Sequence, residues 1–184
     1  CLLIIDAVQG VTTQDAKLAE QICERRRSCV IVINKWDCLD KDTHTYKRMS
    51  ESIRDALPFL DYAPVVAVSA KTGLRVRKIL DIIYELEKSY GKRVGTGEVN
   101  RIIKSIYEQH PPPRGSFNKT KIYYAAQVRT RPPVFKLYTN NKKAFSPQYV
   151  RYLEREMRER FGFSGVPVCI TVARRQQSRR SDRS

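Results

Sequence analysis

The residues best suited to reading a flat, hydrogen-bonding ligand are Asn34, Lys35 and Asp37, in the run Asn-Lys-Trp-Asp. A carboxylate accepts two parallel N–H bonds. Guanine offers such a pair at N1 and N2, and adenine does not. Asp37 is the candidate acceptor, with the Asn34 carboxamide beside it. Ser69, Ala70 and Lys71 form a second set. A small residue there lets a backbone N–H approach a base, and a lysine stem can cover a ring face. Asn and Asp also cap helices at loop entries, so one motif alone is a weaker signal. Two motifs, each after an apolar run, point together to a guanine-nucleotide site.

Those runs are the elements that must position the site. Residues 30–33 and 65–68 are β-branched and apolar, as strands covered on both faces are. Residues 1–5 read the same way, with Asp6 at the carboxyl end. Helical spacing is expected over 14–27, 46–57 and 74–90. Thr12 or Thr13 would cap the first helix, Arg25–Arg27 would fill its last turn, and Pro58 would stop the second. The apolar set of the third is Leu74, Ile79, Leu80, Ile82, Ile83 and Leu86. This β-α-β-α-β-α series predicts an open parallel sheet with right-handed crossovers. Ligands bind at the carboxyl ends of such strands, where both motifs lie.

Residues 91–97 (GKRVGTG) read as a linker between two domains. Beyond it the spacing predicts a helix over 98–110 capped by Thr96, strands over 122–128 and 134–139, and a helix from Pro147 to about residue 160. Ser146 would cap that helix, Val150, Leu153 and Met157 would line its inner stripe, and Gly162 would end it. A strand over 168–172 completes an α-β-β-α-β order. That indicates a small α+β domain, 98–173, with helices on one face of a three-stranded sheet. Residues 174–184 form a basic, apolar-free tail, expected to be disordered.

Charge divides the chain in the same place. The net charge is +16. Residues 1–90 carry +1 and residues 91–184 carry +15. A near-neutral half joined to a strongly basic half suggests two jobs, the second facing a polyanion, with RNA the leading candidate. Tyr123, Tyr124, Phe135 and Tyr138 alternate with basic residues, as stacking platforms do, although core packing is the more economical reading. No apolar run approaches the roughly 20 residues of a membrane span. Five cysteines without a C-x-x-C pair, and only two histidines, argue for reduced thiols and no metal site.

Neither G-x-x-x-x-G-K-[ST] nor D-x-x-G occurs, so no phosphate cradle or Mg²⁺ ligand is visible. The chain also opens inside a strand without Met. It is therefore read as the back half of a longer protein, able to recognise a base but not to hydrolyse a nucleotide by itself.

The N-K-x-D and S-A-K motifs, in this order, resemble those of the TRAFAC GTPases. The match extends further. IDAVQGVTTQD (5–15), VINKWD (32–37) and SAKTG (69–73) look like the second GTPase domain of the Der (EngA) family. FNKTKIYYAAQV (117–128), PPVF (132–135) and FGFSGVP (161–167) resemble its C-terminal KH-like domain. The resemblance implies that 1–90 is the back of a Ras-like α/β domain binding GTP or GDP, with Mg²⁺ held by upstream residues. By the same resemblance Asp37 holds guanine N1 and N2, and Asn34 braces the base and tethers neighbouring loops. Lys35 lies along the ring, the Ala70 amide meets O6, and Ser69 and Lys71 frame it. Ribosomal RNA and the large ribosomal subunit are the implied partners. The implied form is a cytoplasmic or organellar monomer whose KH-like domain docks on GTPase domains. Gly162 and Gly165 have the G-x-x-G spacing of an RNA-clamping loop, but a helix cap and turn is the better reading. Era-like GTPases, which have that loop between helices, are the less similar relatives. An RNA-binding module on a relic GTPase scaffold is the alternative function.

Overall fold

A computed structural model describes residues 1–112 and 120–174. Its described part forms two compact units, one of Cys1–Lys92 with Gly162–Pro167, the other of Arg93–Phe161 with the chain from Val168 onward.

The first unit runs β1 (Leu2–Asp6), α1 (Thr13–Glu24), β2 (Val30–Asn34), α2 (Thr45–Ala56), β3 (Val65–Ala67) and α3 (Val76–Gly91). The three strands are parallel in the order β1-β2-β3, and the register pairs Ile5 with Ile33, Asp6 with Asn34 and Ile33 with Ala67. Alternation along the strands splits the core in two. Leu3, Ile5, Ile31 and Ile33 pack with Ala19 of α1 and Ile53 of α2. Val30, Val32, Val66 and Val68 face the other way, against Ile79, Ile82 and Leu86 of α3. Helices on both faces explain why β2 reads as an unbroken apolar run. Leu80 and Ile83, expected in the α3 core stripe, are exposed, as is Leu74, which lies ahead of the helix.

Local chemistry sets the helix ends. Thr12 caps α1 in a capping box, its Oγ1 accepting from the Asp15 amide at 3.2 Å while Asp15 Oδ2 accepts from the Thr12 amide at 2.8 Å. The helix stops at Glu24, so Arg25–Arg27 lie beyond it rather than in its last turn. Arg26 takes a left-handed conformation there, which no α-helix continues. The start of α3 is also later than the spacing suggests, because Arg75 is left-handed and turns the chain into Val76.

The second unit runs α4 (Thr96–Gln109), β4 (Ile122–Arg129), β5 (Val134–Thr139), α5 (Pro147–Phe161) and β6 (Cys169–Arg174). The sheet is mixed, with β4 antiparallel to β5 and β5 parallel to β6. Thr96 is the first helical residue of α4 and Gly95 precedes it as the cap, displacing Thr96 from the capping role. Ser146 Oγ accepts from the Tyr149 amide at 3.2 Å and so caps α5. The buried stripe of that helix is Tyr149, Leu153, Met157 and Phe161; Val150 is only half-buried. Phe135 is core and stacks on Phe161 at 5.8 Å between ring centroids. Tyr123 and Tyr124 are exposed, so core packing accounts for Phe135 and not for these two. Gly162 follows α5 with φ +64°, a conformation glycine takes without strain. Arg174 belongs to β6; the rest of the basic tail lies outside the described residues.

Candidate functional site

Both motifs emerge at one edge of the first sheet. Strand β2 ends at Asn34, and Lys35 then adopts φ +60°, ψ +34°. That left-handed step carries the chain into a 3-10 turn, Trp36–Cys38, which places Asp37 at its centre. Trp36 is buried, its ring meeting Tyr46 edge-on at 6.2 Å. It packs beneath the loop. Its amide donates to the Val68 carbonyl at 3.0 Å, and its own carbonyl accepts from Lys41 Nζ at 2.9 Å. The turn is thus fastened from both sides.

Beyond β3 the chain passes Ser69 and turns through Gly73 at φ +78°. Ser69 is fully buried; its amide donates to the Leu74 carbonyl at 3.1 Å, and its Oγ accepts from the Thr72 amide at 3.1 Å. The two loops are joined directly. Asn34 Oδ1 accepts from the Ala70 amide at 3.0 Å. Asn34 therefore tethers its neighbour, and Asn34, Asp37, Ser69 and Ala70 are brought together.

This geometry changes two of the roles assigned above. The Ala70 amide is already committed to Asn34, so it meets a base only by sharing or releasing that bond. Ser69, with no exposed surface, frames nothing directly; it acts on Asp37 instead. The Asp37 carboxyl is held below the usual carboxylate range, chiefly by the Ser69 hydroxyl, then by its own backbone amide. The Cys38 thiol and the charge of Lys71 act in the same direction against desolvation. Asp37 is therefore an anion throughout the neutral range. Its Oδ1 is shut off from solvent.

Lys35 reaches sideways, its Nζ 2.6 Å from Asp6 Oδ2. Asp6 and Lys41 are the two contributors that motif reading misses. Asp6 was legible as an acid at a strand end, but its partner was not. Lys41 carries no signal, because a lysine in a polar loop is usually solvated. Among the described residues no three His, Cys, Asp or Glu side chains cluster to hold a metal ion. No helix among them is long and apolar enough to cross a membrane.

A parallel sheet with helices on both faces, carrying these motifs at its carboxyl edge, defines the class of GTP-binding α/β proteins. Residues 1–89 match the elongation factor Tu GTP binding domain, and residues 93–172 match the KH-domain-like family of EngA bacterial GTPase enzymes, C-terminal. The chain is 42% identical over 175 residues to GTPase Der of Caldanaerobacter subterraneus subsp. tengcongensis, covering 95% of this chain and 40% of that protein. It is 46% identical over 171 residues to GTPase Der of a Synechococcus strain, covering 92% and 38%. Among solved structures, Era of Aquifex aeolicus aligns at 15% identity over 94% of this chain and 64% of that one, with a TM-score of 0.41. The chain belongs to the Der (EngA) family. It spans about 40% of the length of the curated relatives it matches.

Proposed function

We propose that this chain is the guanine-recognising and RNA-facing portion of a GTPase that acts in assembly of the large ribosomal subunit. The observation that carries the first half is Asp37. Its ionised carboxylate sits between two strand ends, held by the Ser69 hydroxyl. The N1–H and N2–H of guanine supply a parallel donor pair for such a carboxylate, and adenine does not. Asp37 reads the base, Asn34 holds the two loops at the right separation, and the Lys35 stem lies along the ring. Ser69 orients Asp37, and Ala70 and Lys71 complete the rim. GTP and GDP are the proposed ligands, with Mg²⁺ bound only where a phosphate loop is also present. The proposed division is 1–90 for the GTPase part, 91–97 for the linker, 98–173 for the KH-like domain and 174–184 for a basic tail.

The second half rests on charge. The excess of +15 over residues 91–184 supports a polyanionic partner, and the family supports ribosomal RNA as that partner. The proposed setting is bacterial cytoplasm, or an organelle for a targeted homologue. A non-hydrolysing RNA-binding module on a GTPase scaffold is the second reading.

Competition binding on the natural polypeptide that carries this sequence tests both. Guanine nucleotides should displace a fluorescent GDP, and adenine nucleotides should not. Equal displacement refutes the base assignment. Ribosomal RNA affinity should fall steeply and linearly on a log–log salt plot, and deletion of residues 91–184 should flatten it. Guanine-specific binding without nucleotide turnover would favour the second reading.

A further inference from the structure

We infer that Asp6 is a positioning residue of the base site, acting through Lys35. This rests on the guanine reading above and assigns a new member to the same site. Asp6 closes β1 and stands opposite Asn34 in the register, so it sits one strand away from the loop that carries Lys35 and Asp37. Its two oxygens are divided. Oδ1 accepts from the Val8 amide at 2.8 Å, which fixes the plane of the carboxylate, and Oδ2 takes Lys35 Nζ at 2.6 Å. The acid side chain is 19% exposed and the lysine 57%, so the anchor is the less exposed partner and the lysine is the group being held.

Lys35 needs holding. Its backbone is left-handed, a conformation that a side chain bearing a Cβ does not favour. An ammonium left in water would let the four-carbon stem sample many rotamers. Tied at its head to β1, the stem bridges the ends of β1 and β2 and presents a fixed apolar rail beside the Asp37 loop. A base then meets an organised surface rather than one it must order on arrival. The proton equilibria agree with the geometry: each partner is the leading cause of the other's shift, the acid downward and the lysine upward. The pair therefore stays ionised at neutral pH.

The pair does not hold the strand. Backbone pairing already joins β1 to β2, and the Ala7 amide donates to the Asn34 carbonyl at 2.9 Å. Loss of the Asp6 charge should therefore act on ligand binding and leave the fold intact. Asp6→Asn retains an oxygen for the Val8 amide and removes the charge that holds Lys35.

The test is a double-mutant cycle in the natural polypeptide, with N-methylanthraniloyl-GDP as the probe. Wild type, Asp6→Asn, Lys35→Met and the double variant are compared for affinity, dissociation rate and melting temperature. Asp6→Asn should weaken binding about fivefold or more, mostly through faster dissociation, with little change in melting temperature. In the Lys35→Met background the same change should have no further effect. Asp6→Glu should recover part of the loss. Additive effects, or wild-type affinity in Asp6→Asn, would overturn the inference while leaving the guanine site standing. A wild type that binds adenine and guanine nucleotides alike would overturn the guanine reading itself. If Asp6→Asn fails to fold, Asp6→Ser supplies an acceptor for Val8 without charge and completes the same cycle.

Discussion

Replacing Ser69 by alanine removes a single hydroxyl that serves two partners. Its oxygen accepts the Thr72 amide at 3.1 Å, and its hydroxyl is the first cause of the lowered Asp37 carboxyl. Ser69 has no exposed surface, so alanine there removes the hydroxyl from both partners without opening its own position to solvent. Losing a hydrogen bond costs about 0.5–1.5 kcal/mol net, and stranding a buried amide costs about 1–3 kcal/mol. Thr72 is at the rim of the loop, which favours the lower end, so a loss of about 1–2 kcal/mol is expected. Trp36 is the only tryptophan, buried within the neighbouring loop, and it reports the transition directly by fluorescence in a urea titration. A second readout separates packing from electrostatics. The Asp37 carboxyl is depressed in the folded state, so its stabilising contribution is present above the ordinary value near 3.8 and is lost as pH falls through the lower folded value. Without Ser69 the leading cause of that depression disappears, so the acid limb of stability should move to higher pH. Guanine nucleotide affinity should fall as well, because Asp37 loses the group that orients it. If Ser69→Ala unfolds at the wild-type urea midpoint, keeps the same acid limb and binds GDP unchanged, the link between the two loops is wrong.

Asp37→Asn should exchange guanine for xanthine preference, since a carboxamide offers a donor to the 2-oxo group of xanthine and only one acceptor to guanine; competition with GDP and xanthosine diphosphate measures it. Asp42 precedes α2, with its carboxyl lowered to about 2 by the Thr45 hydroxyl, then Arg48 and the His44 amide. Its contribution should be complete above about pH 4 and lost on the way to pH 2, and Asp42→Ala should abolish that part of the acid transition seen by circular dichroism. Leu153 on α5 is fully buried in the second unit, so Leu153→Ala should cost about 2–5 kcal/mol in urea unfolding, with GDP binding preserved.

The two motifs were legible because their residue types and their placement agree. A carboxylate and a carboxamide after one apolar run, and a small-residue loop after the next, leave few alternatives once the runs are parallel strands. The order of the elements was legible for the same reason: β2 is apolar as far as Ile33 because both its faces are covered, and α5 starts at a Ser-Pro pair. What sequence could not supply was who faces whom. Ala70 looked like a donor for a ligand, yet its amide finds Asn34 first, since a short carboxamide at the end of the adjacent strand is the nearest acceptor. Ser69 looked like part of the rim, yet the turn closed by Leu74 draws it inside. Helix ends slipped where single residues became left-handed, at Arg26 and Arg75, which no propensity predicts.

The same distinction bears on where selectivity comes from. Motif residues supply the chemical groups, but Asp37 is held in place by Ser69 and the loop acquires its geometry from Trp36, Lys41 and Asn34. Lys35 acquires its orientation from Asp6, a residue outside both motifs. Asn34, Ser69 and Asp6 each act through a side chain on a different strand end or loop. On the proposed reading, the base site is a joint between strand ends, and its precision depends on side chains that never meet the base. Substituting those supports should loosen recognition without changing which base is preferred, whereas substituting Asp37 should change the preference itself. That difference separates the groups that read from the groups that hold.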